Sequence, residues 1–300
     1  MSLLTGIQKV RVPAPAKINL FLSVGGERED GFHELRTVLA KVKLQDMVEI
    51  ERSDKRGKTE IFCKGFPELE NKENLAVQMV DLWRVHTGCD DGIKISIEKN
   101  IPFEAGLGGG SSDAVAALIG LNSLSQEKLS FDDMCGLSAK VGSDCPSFLI
   151  SGTCVASGRG EKVRDVDSSV AKEISGQRIF LFKPHMGFST AEIYRQFRKE
   201  DRLFHDRNKV DEEIQNWETG KLPLLEFMHN DLLMPVCRKY LFIPALFEQI
   251  ADRFSLKPMV SGSGSCCFVI VSEELDLEPV RKFILESWGN ETFFSQTHLI

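Results

Sequence analysis

A run of glycines and serines in the middle of the chain has the composition of a loop that binds phosphate. Four glycines lie within five positions, from Gly106 to Gly110, and two serines follow them. Glycine has no β-carbon, so an anion can approach the backbone N–H groups closely. An alanine- and leucine-rich helix is predicted from Ser112 to Leu124, and the N-terminus of a helix attracts negative charge. The predicted polyphosphate loop consists of Pro102, Phe103, Glu104, Ala105, Gly106, Leu107, Gly108, Gly109, Gly110, Ser111 and Ser112.

The two serines offer hydroxyl groups for three uses: capping the predicted helix, binding phosphate oxygens, or coordinating a metal ion. A bound polyphosphate is normally accompanied by Mg²⁺, so Mg²⁺ is a predicted cofactor. Ser112 is the candidate magnesium ligand, and Asp113 beside it offers a further oxygen.

Two common nucleotide-binding loops are excluded by the spacing. A P-loop requires a lysine directly after its last glycine, and none follows Gly110. A dinucleotide fingerprint that starts at Gly106 requires glycine at its sixth position, where the chain has Ser111. The alternative is a flexible turn between a strand and a helix, but such a turn has little need for four glycines and paired serines.

Composition limits the partners and the compartment. The chain has 37 basic and 44 acidic residues, a net charge of −7 and a pI near 5.5, which argues against nucleic acid as the main partner. No apolar stretch is long enough for a membrane helix or a signal peptide, so we predict a soluble, cytoplasmic protein. Its eight cysteines include no CxxC pair, which predicts reduced thiols rather than disulfides or a zinc site.

Apolar patterning around the loop predicts an α+β protein. Alternating isoleucines from Ile93 to Ile97 predict a half-buried strand, and Ser130 opens a capping box for a helix that ends near Gly142. Strands and helices alternate without the regular rhythm of a doubly wound sheet. The polar stretch Arg164–Gln177 is the candidate boundary between two domains, at 1–170 and 171–300.

Several motifs, taken in order, resemble those of the GHMP kinases, a superfamily of small-molecule kinases. Pro15–Leu20, Pro102–Ala114 and Ser261–Cys266 are similar to its N-terminal, central and C-terminal motifs. Asp30–His33 and the long glycine run resemble the branch that acts on a cytidine diphosphate-linked alcohol in isoprenoid biosynthesis. The resemblance implies an N-terminal ATP-binding domain over 1–170 and a ferredoxin-like substrate domain over 171–300. It also implies transfer of the ATP γ-phosphate to the 2-hydroxyl of that alcohol.

The resemblance implies that Lys17 and Asp144 are the catalytic residues. A carboxylate that accepts the proton of the attacking hydroxyl makes it a better nucleophile. A nearby lysine keeps the carboxylate ionised and neutralises charge on the transferred phosphoryl group. Without the surrounding motifs, Asp144 would be interpreted as a turn residue and Lys17 as a solvated strand lysine.

The resemblance further implies residues that bind each end of the two substrates. Asn74 and Lys99 are placed near the adenosine of ATP, although Asn74 could simply cap a helix. The cytosine would hydrogen-bond to His33 and stack between two aromatic rings. The implied substrate-binding residues are Asn19, Phe32, His33, Thr190, Tyr194, Gly262, Ser263 and Gly264.

Other functions stay open from the sequence alone. Another GHMP kinase, such as mevalonate or homoserine kinase, is possible, but such a substrate has no use for a base-stacking pocket. A non-catalytic ATP sensor would not need both Lys17 and Asp144. An RNA-binding module is disfavoured by the negative charge. The expected partner is a small molecule, with no nucleic acid or membrane, in a monomer or weak homodimer.

Overall fold

The computed structural model describes residues 9–198 and 206–300, which form an α+β protein. The chain divides into two compact units that are interleaved in sequence. The first unit contains the chain up to Ala16, Leu44–Ile101 and Gly108–Ser151. The second unit contains Lys17–Lys43, Pro102–Leu107 and Gly152–Ile300. This division differs from a sequential split near residue 170, which stays a prediction.

The strands of the described residues are β1 Lys9–Glu27, β2 His33–Ser53, β3 Thr59–Cys63, β4 Gly92–Glu98, β5 Cys154–Gly158, β6 Lys162–Asp165, β7 Arg178–Lys183, β8 His229–Asn230, β9 Met259–Val260, β10 Cys267–Val271 and β11 Phe293–His298. Their helices are α1 Leu75–Thr87, α2 Gly109–Leu124, α3 Phe131–Val141, α4 Ser168–Ile174, α5 Thr190–Arg198, α6 Arg207–Glu218, α7 Leu224–Phe227, α8 Leu233–Lys239, α9 Phe242–Phe254 and α10 Glu278–Trp288. Two short 3₁₀ helices lie at Pro67–Leu69 and Cys145–Leu149. The predictions of a strand at Ile93–Ile97 and of a capping box at Ser130 are confirmed.

Strand β1 is continuous through Pro13 and Pro15. These prolines are two positions apart, so both missing N–H groups point to the same edge of the strand. Within the described residues, β8 pairs with β1 at Phe21 and Leu22, away from the prolines. The pairing with β8 therefore does not require the N–H groups that these prolines lack.

In the first unit, helices pack on a sheet. Strand β4 pairs antiparallel with the second half of β2 and parallel with β3. Ile50, Ile95 and Leu118 are buried in the shared core, each stabilising it by roughly 1.5–3 kcal/mol relative to exposure. A β-carbon on Gly120 of α2 would lie 2.8 Å from Ile50 Cγ1, so this glycine allows the helix to approach the strand closely. The packing holds the start of α2 in a defined position.

The second unit contains a four-stranded antiparallel sheet in the order β11-β7-β10-β9. With helices between β7 and β9 and between β10 and β11, this is the βαββαβ arrangement of a ferredoxin-like fold. Phe180, Val269, Ile250 and Ile284 are buried in its core. Elsewhere in the unit, β1 pairs parallel with β8, and the first half of β2 pairs antiparallel with β5.

The polar stretch Arg164–Gln177 contains helix α4, so it is not an extended linker. The side chain of Asp167 caps the helix by accepting a hydrogen bond from the backbone N–H of Ser169, at 2.8 Å. Val170 and Ile174 are four residues apart and buried, and they anchor the helix by one face.

Candidate active site

In the second unit, the first half of the glycine run packs against the C-terminal glycine loop, which we define as Ser261–Ser265. Gly106 has φ +72°, and a β-carbon there would lie 2.2 Å from the carbonyl oxygen of Ser261. The Ser261 hydroxyl donates a hydrogen bond to the carbonyl of Gly106, at 3.0 Å. Only glycine satisfies both the left-handed backbone and this close approach. Gly106 is therefore required by the contact between the two loops.

Backbone hydrogen bonds extend this contact. The N–H groups of Ser265 and Cys266 donate to the carbonyls of Glu104 and Ala105, at 3.3 and 2.9 Å. A β-carbon on Gly264, at φ +83°, would lie 2.6 Å from the ring of Phe188. This loop therefore packs against both the phosphate loop and the ring of Phe188, which a plain strand turn would not require.

The side chain of Asn230 supports the C-terminal glycine loop by hydrogen bonds, a role that was not predicted from the sequence. It is buried, and its amide donates to the carbonyls of Val260 and Gly262, at 2.9 and 2.8 Å. Its side-chain oxygen accepts from the backbone N–H of Leu232. The available signal was the run His229-Asn230-Asp231 between apolar residues, since buried polar side chains need partners.

Lys17 begins a chain of buried hydrogen bonds in the second unit. Its ammonium donates to the Asn19 side-chain oxygen at 2.8 Å, and the Asn19 amide donates to the Thr37 hydroxyl at 3.0 Å. The Lys17 backbone N–H donates to the carbonyl of Leu107, at 2.9 Å. A β-carbon on Gly262 would lie 3.5 Å from the Lys17 ammonium nitrogen. The structure therefore brings Lys17 and Asn19 together with both glycine loops.

In the first unit, α2 begins at Gly109, three residues earlier than predicted. Gly108 is the N-cap, with φ +70° and no side-chain cap, so Ser111 and Ser112 lie in the first helical turn. Of the three uses open to these hydroxyls, capping the helix is excluded, because glycines 109 and 110 themselves adopt helical geometry. The uncapped N–H groups and the helix dipole are available to bind an anion.

A buried ion cluster lies beneath this helix start. The Lys99 ammonium donates to Asp46 at 2.5 Å and to Asp113 at 2.6 Å, and all three side chains are at most 5% exposed. The Lys99 nitrogen lies 3.5 Å from the position that a Gly109 β-carbon would occupy. Burial, the largest influence, raises the pKa of Asp113 to about 7, against the opposing effect of Lys99. Burial lowers the pKa of Lys99, but the two carboxylates outweigh it and the net shift is upward.

This cluster changes the interpretation of Lys99, which the resemblance placed near adenosine. Its charge is matched by two carboxylates of its own unit, which suits a residue that positions α2. The adenosine contact stays a prediction. Asp46, which also accepts from the backbone N–H of Asn100 and Ile101, was not identified from the sequence because it lies more than fifty residues away.

Two buried oxygens at the start of α2 lack a hydrogen-bond partner within residues 9–198 and 206–300. They are Ser112 Oγ and Asp113 Oδ1. Such atoms are costly unless a ligand or ion satisfies them. No group of three or more His, Cys, Asp or Glu side chains in the described chain could hold a metal.

Asp144 lies at a turn that packs against the start of α2. It immediately precedes the 3₁₀ helix Cys145–Leu149, and its backbone carbonyl accepts a hydrogen bond from the Ser147 hydroxyl, at 2.7 Å. A β-carbon on Gly142 in this turn would lie 3.1 Å from Cys145 Sγ and 3.7 Å from Ser111 Oγ. The turn therefore places Asp144 within the same unit as the second half of the phosphate loop.

Asn74 caps helix α1, as its residue type predicted. Its side-chain oxygen accepts from the Ala76 N–H at 2.9 Å. The next residue, Leu75, lies 3.7 Å from where a Gly110 β-carbon would be, so the starts of α1 and α2 are neighbours. Helix capping alone accounts for an asparagine at position 74. A contact between Asn74 and the nucleotide stays a prediction.

The structure defines the tautomer of His33 in the second unit. Arg198 Nε donates to His33 Nε2 at 3.1 Å. Since Arg198 can only donate, Nε2 accepts, and the ring proton is on Nδ1, 3.1 Å from the carbonyl of Gly25. His33 is 5% exposed, and the ring of Tyr194 stacks on it at 5.7 Å. Arg198 was not identified from the sequence.

The other predicted substrate residues occupy the same unit. Phe32 is 49% exposed, and the guanidinium of Arg159 lies 4.9 Å above its ring. Thr190, at the start of α5, hydrogen-bonds to Ser263 of the C-terminal glycine loop, at 2.8 Å. The expected sandwich of a base between Phe32 and Tyr194 stays a prediction.

The cysteines confirm the prediction of reduced thiols. All eight are free, and most are buried. Burial raises the pKa of the Cys145 thiol to about 11 and that of Cys266 to about 12, so neither is a reactive thiolate. Among the described helices, none has the length and hydropathy needed to cross a membrane.

Comparison with known proteins agrees with the geometry. The GHMP kinases N terminal domain matches residues 74–152. A 4-diphosphocytidyl-2-C-methyl-D-erythritol kinase of Thermoanaerobacter pseudethanolicus is 33% identical over 295 residues, which is 97% of each chain. A crystal structure of 4-(cytidine 5'-diphospho)-2C-methyl-D-erythritol kinase is 29% identical, with a TM-score of 0.72 over 96% of this chain and 99% of that one.

A homoserine kinase from Cytophaga hutchinsonii has a TM-score of 0.75 over 100% of this chain and 97% of that one. It is only 14% identical, so this likeness shows the fold alone. The predicted fold class is confirmed, and the protein is a small-molecule kinase. The chain belongs to the GHMP kinase superfamily and, within it, to the family of 4-diphosphocytidyl-2-C-methyl-D-erythritol kinases.

Proposed function

We propose that this enzyme transfers the γ-phosphate of ATP to the 2-hydroxyl of 4-(cytidine 5'-diphospho)-2-C-methyl-D-erythritol. The observation that carries this proposal is the one-third identity, over nearly the whole chain, to a relative named for that alcohol. The buried Lys17–Asn19 pair beside the C-terminal glycine loop supports it. The reaction belongs to the non-mevalonate pathway to isoprenoid precursors, and we place it in the cytoplasm.

In the proposed reaction, the 2-hydroxyl oxygen attacks the γ-phosphorus, and the bond from that phosphorus to the β–γ bridging oxygen breaks. Asp144 accepts the hydroxyl proton, and ADP leaves with the electron pair of the broken bond. The Lys17 ammonium, held by Asn19, opposes the negative charge on the transferred group. The N–H groups at the start of α2 bind the phosphates.

The start of α2 also fits the Mg²⁺ that accompanies ATP. Mg²⁺ prefers oxygen ligands and keeps several waters and phosphate oxygens, so one or two protein oxygens suffice. Ser112 Oγ and Asp113 Oδ1 are oxygens without partners in the described structure. We propose Ser112 as the protein ligand, and the bound ion would neutralise phosphate charge.

Replacing Ser112 with alanine should raise the free Mg²⁺ concentration required for half-maximal activity by about tenfold. The variant loses one ligand of the ion, and a hydrogen bond or ligand to a charged group is worth roughly 1.5–3 kcal/mol. The measurement is the initial rate at fixed ATP and varied Mg²⁺. Ser123→Ala is the matched control, since Ser123 is exposed on the same helix and its hydroxyl donates to the carbonyl of Ile119. An unchanged Mg²⁺ requirement would argue against Ser112 as a ligand.

Cytosine should be selected over uracil by at least about a hundredfold in kcat/KM. His33 Nε2 is an acceptor, so the exocyclic amine of cytosine can take the place of Arg198 as its donor. The carbonyl at the same position of uracil would meet an acceptor and leave buried groups unpaired. A coupled assay for ADP release with the CDP-alcohol, the UDP-alcohol, mevalonate and homoserine measures this.

The four candidate substrates distinguish the possible outcomes. Turnover of the CDP-alcohol alone supports the function and the base selection. Equal turnover of the UDP-alcohol contradicts the role of His33 but leaves the function standing. Turnover of mevalonate or homoserine in place of the CDP-alcohol would overturn the proposed function.

A further inference from the structure

The second unit contains a cavity of about 550 Å³ that none of the residues of the proposed reaction lines. Its volume lies within the range of small-molecule binding sites, roughly 300–1,000 Å³. The walls come from β2, β5, β6 and α6. They are formed by Arg36, Val155, Ser157, Lys162, Val163, Arg164, Asp211, Ile214, Gln215 and Glu218.

The cavity lies on the opposite face of β2 from the Lys17–Asn19–Thr37 chain. Successive side chains of a strand point to opposite faces, so Arg36 faces away from its neighbour Thr37, which bonds to Asn19. Ser157 of β5 is paired with Arg36 and lines the cavity with it. The cavity is therefore separate from the proposed substrate residues of this unit.

Helix α6 covers the cavity with one face. Its lining residues, at positions 211, 214, 215 and 218, have the spacing of a single helical stripe. Ion pairs join this helix to the sheet. Arg36 Nε donates to Asp211 at 2.8 Å, and the guanidinium of Arg164 donates to both carboxylate oxygens of Glu218, at 2.7 and 2.9 Å. The cavity is thus built by specific contacts.

The charge of the walls favours an anion. Three of the lining side chains are cationic and two are anionic; both of these carboxylates are engaged by the arginines, and Arg36 also pairs with Glu34, which does not line the cavity. Two cationic groups retain donors. Arg36 is 9% exposed, and its Nη2 donates to no acceptor in the described part of the protein. Lys162, on β6, makes no side-chain hydrogen bond or ion pair among the residues from 9 to 198 and from 206 to 300.

Part of the cavity wall is apolar. Val155, Val163 and Ile214 line it, and Val155 and Ile214 belong to the buried core. Apolar surface beside charged and polar groups suits an organic ligand better than an inorganic ion. An inorganic anion alone would leave this surface uncovered.

We propose that this cavity is a second binding site, for a small organic anion whose carboxylate, sulfonate or phosphate contacts Arg36 and Lys162. Its apolar part would lie on Val155, Val163 and Ile214. The ligand differs from the substrates of the kinase reaction in having a single anionic end and an apolar body. The proposal does not depend on the identity of the kinase substrate.

The fluorescent probe 1-anilinonaphthalene-8-sulfonate has this chemistry, and its titration into the full-length enzyme tests the proposal. One probe molecule should bind per chain, and saturating ATP with Mg²⁺ should not displace it. Lys162→Glu should weaken binding by at least about tenfold, because it replaces an attractive charge by a repulsive one. Gln215→Trp, which fills the cavity from an exposed position of α6, should abolish binding.

Lys172→Glu is the control, since it makes the same charge change on an exposed residue of α4 that does not line the cavity. It should leave the dissociation constant within about twofold of the parent value. The melting temperature of each variant shows that it is folded. Binding that survives both Lys162→Glu and Gln215→Trp, or a probe that ATP displaces, would overturn the proposal.

Discussion

Replacing Asp144 with asparagine should lower the turnover number by about a hundredfold to ten-thousandfold while the affinity for ATP changes by less than about twofold. The amide has nearly the shape of the carboxylate but cannot accept the hydroxyl proton. The backbone carbonyl of Asp144, which asparagine retains, accepts hydrogen bonds from Ser147 and helps to hold this turn. Single-turnover kinetics and equilibrium binding of ATP measure the two quantities separately.

Asp132→Asn provides the control for this substitution. Asp132 is an exposed carboxylate in the first turn of α3, in the same unit as Asp144. The Asp132→Asn substitution changes the net charge by the same amount as Asp144→Asn, but it replaces no residue of the proposed reaction. Full turnover in Asp144→Asn, or a loss of equal size in Asp132→Asn, would refute Asp144 as the general base.

Replacing Gly106 with alanine should lower kcat/KM by at least about tenfold and destabilise the fold. The left-handed φ of +72° costs an alanine roughly 1–2 kcal/mol, and the β-carbon would lie 2.2 Å from the Ser261 carbonyl. Relief of this clash requires the two glycine loops to separate, and they also contact Lys17 through Leu107 and Gly262. We expect the free energy of unfolding to fall by roughly 2–4 kcal/mol. Urea denaturation and steady-state kinetics measure the two effects.

Gly136→Ala is the matched control, because Gly136 lies in the helix α3 with no atom within 4 Å of the added carbon. Alanine there should stabilise the protein by roughly 0.5–1 kcal/mol, since it reduces the entropy of the unfolded chain. If Gly106→Ala is as active and as stable as the parent, the contact between the loops does not constrain the phosphate loop.

Local sequence signals predicted the elements on which the site is built. The alternation of Ile93, Ile95 and Ile97 and the capping box at Ser130 both depend on neighbours within a few positions. The glycine run also has a local meaning, because missing β-carbons expose backbone N–H groups in any fold. For these features, the interactions that decide the local structure join residues only a few positions apart.

The partners of buried polar groups could not be predicted in the same way. Lys99 is matched by Asp46 and Asp113, and His33 by Arg198, across large separations in sequence. Asn230 supports a loop that begins about thirty residues later. Apart from the polar run at 229–231, which marks Asn230, the local composition does not distinguish these residues from solvated ones.

The sequence by itself predicted a polyphosphate site at a glycine-rich helix start, and its ordered motifs indicated the family that the comparisons show. Only the tertiary structure decided where α2 begins, which residue satisfies each buried charge and which nitrogen of His33 carries the proton. The physical reason is that backbone conformation follows mainly from adjacent residues. In contrast, a buried charge or hydrogen bond is satisfied by whichever groups the folded chain brings within about 3 Å.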